Sequence, residues 1–348
     1  MRSRSIAVNI GNRILGGGNP ILVQSMTKTD TRDIASTVNQ ILRLEEAGCD
    51  LVRVAVPDIE SAEALSKIKS KIHIPLIADI HFDPLIAMES IKQGVDKLRL
   101  NPSNIQNEEW IKKIALAARE RNIPIRVGTN LGSFKKKPDN PVEALVKNAL
   151  DEIKILESIA FSNIIVSIKT SDIILTVKAN EKIAELVRYP LHIGITEAGP
   201  KEESLVKSSV GIGYLLMEGI GDTIRYSITA DPIEEIKAGI TLLRGLHLRE
   251  GGLEIISCPT CGRCEINLFE IVKQVKEEFK EVDTPVKVAI MGCVVNGPGE
   301  AADADIGLAG GKKSGVIFRK GKAVKIVKEE HLYSAFRDEL KKLIESKK

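Results

Sequence analysis

No stretch of the chain approaches the roughly 18 uninterrupted apolar residues of a membrane span. The first eighteen residues, MRSRSIAVNIGNRILGGG, hold no apolar core of signal-peptide length. Net charge is only +3, too small to indicate nucleic acid or a membrane surface as the partner. Long linkers and low-complexity runs are absent, and no strand-like segment is followed by the G-x-G-x-x-G turn of a dinucleotide site. Gly211-Ile212-Gly213 falls in or beside a helical segment and is not such a turn. The expectation is a cytoplasmic globular protein. Its apolar fraction of 43% and charged fraction of 28% are ordinary for that class.

What is present begins with alternation. Residues 1–20 read as a short hairpin. After it, β-branched runs alternate with segments of helical period. The predicted strands are ILVQSM (21–26), LVRVAV (51–56), PLIADI (75–80), KLRLNP (97–102), PIRVGT (124–129), IIVSIK (164–169), PLHIGIT (190–196) and TIRYSI (223–228). Helices are expected over Ile34–Ala47, Val142–Ser158 and Pro232–Leu243, among others. Eight such units imply a parallel sheet closed as an α/β, (β/α)₈ TIM-type barrel, with an open doubly wound sheet as the alternative. The pattern breaks at Gly245–Gly252, which divides the chain into 1–245 and 246–348. The second part reads as smaller and α+β. It has a strand before Cys258, a helix near Leu268–Phe279, a strand at 286–291 and a hairpin around Arg319–Lys322. Its terminal helix has Leu332, Phe336, Leu340 and Leu343 at packing spacing.

Cations stand within the predicted barrel strands or at their ends: Arg53, Arg99, Arg126, Lys169 and Arg225. On five separate strands they point to an anion site at the C-terminal face, where such barrels carry active sites. Guanidinium suits phosphate. The competing reading pairs them internally with Asp79, Glu197 and Asp222. Polar companions follow: His81, Asn101, Asn130, Ser167, Thr196 and Ser227. His192 reads as a satisfied core residue. Glu197, at a strand's end, would act as a general acid if burial raised its pKa.

Four of the five cysteines fall between Ser257 and Glu300, as Cys258-Pro-Thr-Cys261-Gly-Arg-Cys264 and Gly292-Cys293. Cys49 stands alone and reads as a buried apolar residue. Thiols so close in a reducing compartment are more often metal ligands than disulfides. The spacing alone suits zinc or a [4Fe–4S] cluster. Pro259, the Gly-Pro-Gly turn after Cys293 and the carboxylate of Glu300 favour iron–sulfur.

SCPTCGR (257–263) and GCVVNGPGEA (292–301) resemble the cluster motifs of the 4-hydroxy-3-methylbut-2-enyl diphosphate synthase (IspG or GcpE) family. So do VQSMT (23–27), ADIHFD (78–83), RLNP (99–102), RVGTN (126–130) and ITEAG (195–199). The resemblance implies the bacterial two-domain form: a TIM-like barrel followed by an iron–sulfur domain resembling that of sulfite and nitrite reductases. It implies an oxidoreductase that opens 2-C-methyl-D-erythritol 2,4-cyclodiphosphate to (E)-4-hydroxy-3-methylbut-2-enyl diphosphate in non-mevalonate isoprenoid biosynthesis. Two electrons would come from reduced flavodoxin or ferredoxin. The cofactor would be one [4Fe–4S] cluster per subunit, on Cys258, Cys261, Cys293 and Glu300, with Cys264 outside the ligand set. A carboxylate holds iron more weakly than thiolate and leaves that iron exchangeable. Substrate contacts would be Arg53, Asp79, Arg99, Arg126, Asn130, Lys169, Arg225, Ser227 and Asn296, with Glu197 as acid. The expected assembly is a homodimer in which one subunit's cluster domain caps the other's barrel. The alternative is a phosphate-binding barrel with a structural zinc module and no redox chemistry.

Overall fold

The computed structural model describes residues 5–81, 83–101, 104–105, 107–134, 136, 138–294 and 301–347. Asn296 and Glu300, two of the expected site residues, lie outside them. The chain forms two compact units, Met1–Arg249 and Glu250–Lys348.

The first unit opens with an antiparallel hairpin, β1 (Val8–Ile10) and β2 (Arg13–Leu15). Eight parallel strands follow: β3 (Leu22–Met26), β4 (Leu51–Ala55), β5 (Leu76–Asp79), β6 (Lys97–Arg99), β7 (Ile125–Thr129), β8 (Ile164–Ile168), β9 (His192–Ile193) and β10 (Thr223–Ile224). Each pairs with the strand before it, except that β8 and β9 meet only at the Val166–Leu191 bridge, and β10 pairs with β3. The sheet therefore closes as the expected barrel. Hairpin residues Val8, Ile10 and Leu15 pack with Leu22, Leu51, Ile77 and Ile165, so apolar side chains fill the N-terminal end of the barrel. The polar layers above are left for function.

β9 and β10 are shorter than their β-branched runs suggested. After β9 comes Gly194, where a Cβ would lie 2.3 Å from the Arg225 carbonyl oxygen and 2.9 Å from Lys169 Nζ. Backbone and ammonium approach so closely there that only glycine fits.

Each barrel strand feeds a helix, and with one exception the helix start is chemically marked. The helices are α1 (Ile34–Glu46), α2 (Ile59–Lys69), α3 (Pro84–Lys92), α4 (Glu108–Glu120), α5 (Pro141–Ser158), α6 (Ile173–Leu186), α7 (Lys201–Met217) and, after β10, α8 (Pro232–Gly245). Asp33, Asp58, Asp83, Asn107, Asn140, Asp172 and Asp231 each accept a first-turn N–H. Such caps are worth about 1 kcal/mol each. Only α7 begins without a side-chain cap; Pro200 precedes it, and Glu202 and Glu203 oppose its N-terminal dipole. Cys49 is buried as expected, its thiol pushed up to about 12 by burial.

In the second unit β11 (Leu253–Ser257), β12 (Val286–Met291) and β13 (Ile306–Gly311) are parallel. β14 (Ser314–Arg319) and β15 (Lys322–Lys328) continue the sheet antiparallel. Helix α9 (Leu268–Glu278) and the C-terminal helix Leu332–Lys347 build its core with the sheet. On that last helix the buried positions are Leu332, Phe336, Leu340 and Ile344. Leu343, assigned to the packing face by spacing, is only half-buried beside them, one residue off the stripe's centre.

Candidate active site at the barrel mouth and the cysteine site

The inward positions of β4 to β10 place charge at the C-terminal ends of the strands. Arg53 (β4), Arg99 (β6), Arg126 (β7), Lys169 (after β8) and Arg225 (after β10) all line one cavity. The cavity holds about 590 Å³ including its open mouth. Asp79, His81, Asn130, Ser167, Thr196 and Ser227 line it too. Every expected substrate residue of the barrel is therefore in one place.

The electrostatics are one-sided. Asp79 is the sole carboxylate among the lining residues, against five cations. Its Oδ2 is 3.6 Å from Arg53 Nε and its Oδ1 is 3.4 Å from Arg99 Nη1. Burial works to raise its pKa, but Arg53, His81 and Arg99 prevail and hold the carboxyl well below its usual range. Arg53 also donates to Met26 Sδ at 3.0 and 3.2 Å. Arg99 Nη1 lies 3.0 Å from His81 Nδ1.

The other carboxylates of the competing reading are committed elsewhere. Asp222 accepts from the Leu191 N–H at 2.8 Å and from Ser5 Oγ at 2.8 Å, and so fastens the barrel seam. Glu197 is exposed, at φ +52°, and does not line the cavity. The burial on which its expected acid role depended is not present in this chain.

Arg126 and Lys169 form no ion pair or side-chain hydrogen bond among the described residues. Burial, then the neighbouring arginines, lower the pKa of both. Burial and then Arg225 bring Arg53 down to about 9, so it stays charged at neutral pH. The Nε atoms of Arg99, Arg126 and Arg225 have no hydrogen-bond partner among the described residues. Desolvated cations without counter-charge cost several kcal/mol each. Such an arrangement is retained where an anion completes it.

Three members escaped the sequence reading. Glu235, on α8, is buried; it accepts from Ser25 Oγ at 2.9 Å and the Ile228 N–H at 3.2 Å, and stands 4.0 Å from Arg225 Nε. Lys97 is fully buried on β6, with Gln24 Oε1 at 3.2 Å. Its place two residues before Arg99 puts it on the same inward face, a period-2 signal available in the sequence. Thr129 at the end of β7 lines the cavity. His192 corrects the expectation of a satisfied core histidine: it is fully buried, and neither ring nitrogen has a hydrogen-bond partner among the described residues.

In the second unit the cysteines gather at the ends of parallel strands, Cys258 after β11 and Cys293 after β12. All are free thiols. The Gly292 N–H donates to Cys258 Sγ at 3.2 Å. A Cβ at Gly292 would lie 2.6 Å from Cys264 Sγ and 3.4 Å from Cys258 Sγ. Thr260, inside the Cys-Pro-Thr-Cys turn, is held at φ +69°. For a β-branched residue that conformation costs on the order of 1–3 kcal/mol and is found where function over-determines the backbone. The Arg263 backbone N–H, then its side chain, hold the exposed Cys261 thiol below its usual range. Cys264 donates to the Ile266 carbonyl at 3.3 Å and packs with the apolar core. Among the described residues no three donors converge tightly enough to hold a metal ion. The donor chemistry, soft thiols with a backbone N–H on sulfur and a side-chain-free position between two of them, fits a bulky thiolate-bound group.

Two family profiles match in sequence order: the GcpE TIM-barrel domain over residues 5–240 and the GcpE protein C-terminal domain over 254–342. The chain belongs to the GcpE family. A relative from Caldanaerobacter subterraneus subsp. tengcongensis is 52% identical over 99% of this chain and 98% of its own length. One from Thermodesulfovibrio yellowstonii is 53% identical over 98% of this chain and 99% of its own. Both are named 4-hydroxy-3-methylbut-2-en-1-yl diphosphate synthase (flavodoxin). Among solved structures, dihydropteroate synthase of Yersinia pestis superposes with TM-score 0.53 at 12% identity, covering 69% of this GcpE chain and 98% of its own. Type I 3-dehydroquinate dehydratase of Clostridium difficile gives TM-score 0.53 at 15% identity, covering 70% and 99%. At those identities the likeness is one of barrel fold.

Proposed function

We propose that the chain reduces and opens 2-C-methyl-D-erythritol 2,4-cyclodiphosphate, giving (E)-4-hydroxy-3-methylbut-2-enyl diphosphate with two electrons from reduced flavodoxin. The observation that carries the reading is the cavity in which five cations from five strands face one carboxylate. A cyclic diphosphate supplies the missing anion. Arg53, Arg99, Arg126, Lys169 and Arg225 would grip its phosphates, and Asn130 and Ser227 would orient the sugar-derived carbons. As the ring C–O bond breaks, negative charge grows on the departing phosphate oxygen, and fixed cations stabilise it without reorganising. Asp79 keeps Arg53 and Arg99 aimed. Glu197 would hand a proton to the hydroxyl that leaves as water once a lid covers it, and the second unit of a partner subunit in a homodimer is the lid this reading requires.

Cys258, Cys261 and Cys293, with Glu300, would hold a [4Fe–4S] cluster. Bound there, such a cluster supplies electrons one at a time. Asn296 would be a polar contact to substrate from the same segment. The reading places the reaction in the cytoplasm.

Anaerobic reconstitution tests this. Brown protein with about four irons per chain, which converts the cyclodiphosphate only with a reductant, supports it. Colourless protein with one zinc, no iron and no conversion would overturn it in favour of a structural zinc module.

A further inference from the structure

Strands β11, β12 and β13 are parallel, so Ser257, Met291 and Gly311 end on one edge of their sheet, the edge where Cys258 and Cys293 begin. β15 lies two antiparallel steps beyond β13 and therefore runs the same way. Its last residue, Lys328, pairs with Ser314, and the Glu329 N–H donates to the Lys313 carbonyl at 3.2 Å. The two-residue loop Lys312–Lys313 joins β13 to β14 on this same edge. Neighbouring strands are about 4.8 Å apart, so the loop stands one strand spacing from the β12 end that carries Cys293. A Cβ at Gly311 would touch Val294 Cγ1 at 3.8 Å, and Val294 is itself exposed.

Charge on this part of the sheet is of one sign. Residues 306–328 contain seven cations and no carboxylate. Lys312, Lys313 and Lys328 are exposed, and none forms an ion pair among the described residues. Lysines on an edge strand are ordinarily explained as a block to strand pairing, which accounts for Lys322, Lys325 and Lys328 on β15. It does not account for Lys312 and Lys313, which are in a turn. Lys313 adopts φ +54°, a loop position that glycine or asparagine fills at lower cost. Lys320, in the turn at the opposite edge, shares that conformation at φ +47°, so what sets this edge apart is the pair of exposed turn lysines beside an exposed valine and the cysteines.

We propose that this edge, with Lys312, Lys313 and Lys328 along it and Val294 beside Gly311, is the docking surface for flavodoxin. The proposal rests on the reductive reading above. Flavodoxin is the donor in the relatives' names; one that presents carboxylates is complementary in charge to the patch, and a partner seated there sits beside the cysteines that would receive its electrons. Opposite charges at a small rim raise the association rate and make it salt-dependent. Glu329 and Glu330 follow directly and bound the cationic run.

The test uses the reconstituted holoenzyme, oxidised flavodoxin and calorimetric titration at two salt concentrations, one well below and one well above physiological ionic strength. For wild type, binding at low salt that weakens at high salt is expected. K312E/K313E should lose at least about tenfold in affinity and most of the salt dependence, whereas K322E, at the far end of β15, should bind as wild type does. Turnover driven by a small viologen reductant checks that the double variant is folded and loaded. Equal flavodoxin affinity for wild type and K312E/K313E overturns the proposal. So does wild-type protein that turns over with viologen but binds no flavodoxin, an outcome that leaves the reaction standing. Failure of wild type with viologen overturns the reaction instead. K312Q/K313Q, which removes charge without reversing it, should fall between the two.

Discussion

Asp79 Oδ2 lies 3.6 Å from Arg53 Nε, and the other oxygen of the same carboxylate lies 3.4 Å from Arg99 Nη1. One buried anion thus sets the spacing of two cations from strands on either side of its own. Asp79→Asn would leave two largely buried guanidiniums facing a neutral amide. Removing one partner of a buried pair costs about 3–5 kcal/mol. Urea unfolding should show a loss of about 3 kcal/mol, and kcat should fall with it because Arg53 and Arg99 lose their aim. An unchanged denaturation midpoint would show that the carboxylate does not hold the cluster. The linkage has a definite sign. The folded carboxyl pKa is depressed, so this stability is present above the unfolded value of about 3.9 and is lost as pH falls through the lower folded value.

Arg126 has the opposite relation to stability. It is buried, surrounded by other cations and without an ion-pair partner among the described residues. Arg126→Met should stabilise the ligand-free protein by about 2 kcal/mol, because it replaces a desolvated charge with an apolar side chain of similar length. It should also weaken cyclodiphosphate binding by about 100-fold, the worth of one charge-assisted contact pair to phosphate. A differential scan without ligand, paired with a binding isotherm, reads both. A variant that is less stable and binds normally would mean that Arg126 serves the fold.

The barrel was legible because its signals are local. Alternation of β-branched runs with capped helical segments repeats eight times, and Asp or Asn stands before nearly every helix. The five cations were legible for the same reason, since each sits within or just after its own strand. Glu235 was not, because its meaning depends on α8 packing back across β3 to reach Ser25, 210 positions away. Lys97 was legible in principle, since it stands two residues before Arg99 and so shares its face, but its complete burial shows only in the closed barrel. Glu197 misled because a strand-end position says nothing about exposure. The lysine edge near Cys293 was invisible until strand directions were known, since Lys313 and Lys328 become neighbours only through the β14–β15 hairpin.

Lys97 gives the barrel a pH dependence. It is fully buried with Gln24 as its partner, and Gln24 Nε2 has none among the described residues. Burial first, then Arg126 and Arg53, hold its pKa well below the ordinary value for lysine. Below the unfolded value of about 10.4 the unfolded chain binds more protons here than the folded one, so stability rises with pH across that interval. His192, lowered by burial and then by Lys169, adds the same sign below about 6.5. The ligand-free melting temperature should therefore climb as pH rises toward the unfolded lysine value of about 10.4, and Lys97→Met should flatten the climb. A bound cyclodiphosphate, whose charge is fixed over this range, favours the protonated amine. Binding should then take up protons, measurable as a dependence of calorimetric enthalpy on buffer ionisation. A profile identical in wild type and Lys97→Met would refute the assignment.

Gly292 separates the roles of the clustered cysteines. Its Cα faces both Cys258 Sγ and Cys264 Sγ, and an added methyl would stand 2.6 Å from the latter. Atoms that close must move, and the sulfur available to move is that of Cys264, whose Sγ donates to the Ile266 carbonyl at the margin of the packed core. Gly292→Ala should therefore displace Cys264 and the Gly292 N–H that bonds Cys258 Sγ, and the reconstituted protein should lose most of its iron and sulfide. Cys264→Ala alone should keep both at wild-type content, because that sulfur is engaged with the core and lies outside the expected ligand set. The double variant, Gly292→Ala with Cys264→Ala, decides the matter. Once the Cys264 sulfur is gone, the nearest approach of the new methyl at that position is the Cβ at 3.3 Å instead of the sulfur at 2.6 Å, so iron content should recover substantially over Gly292→Ala. If Cys264→Ala by itself abolishes iron binding, Cys264 is a ligand and the three-cysteine, one-glutamate assignment fails.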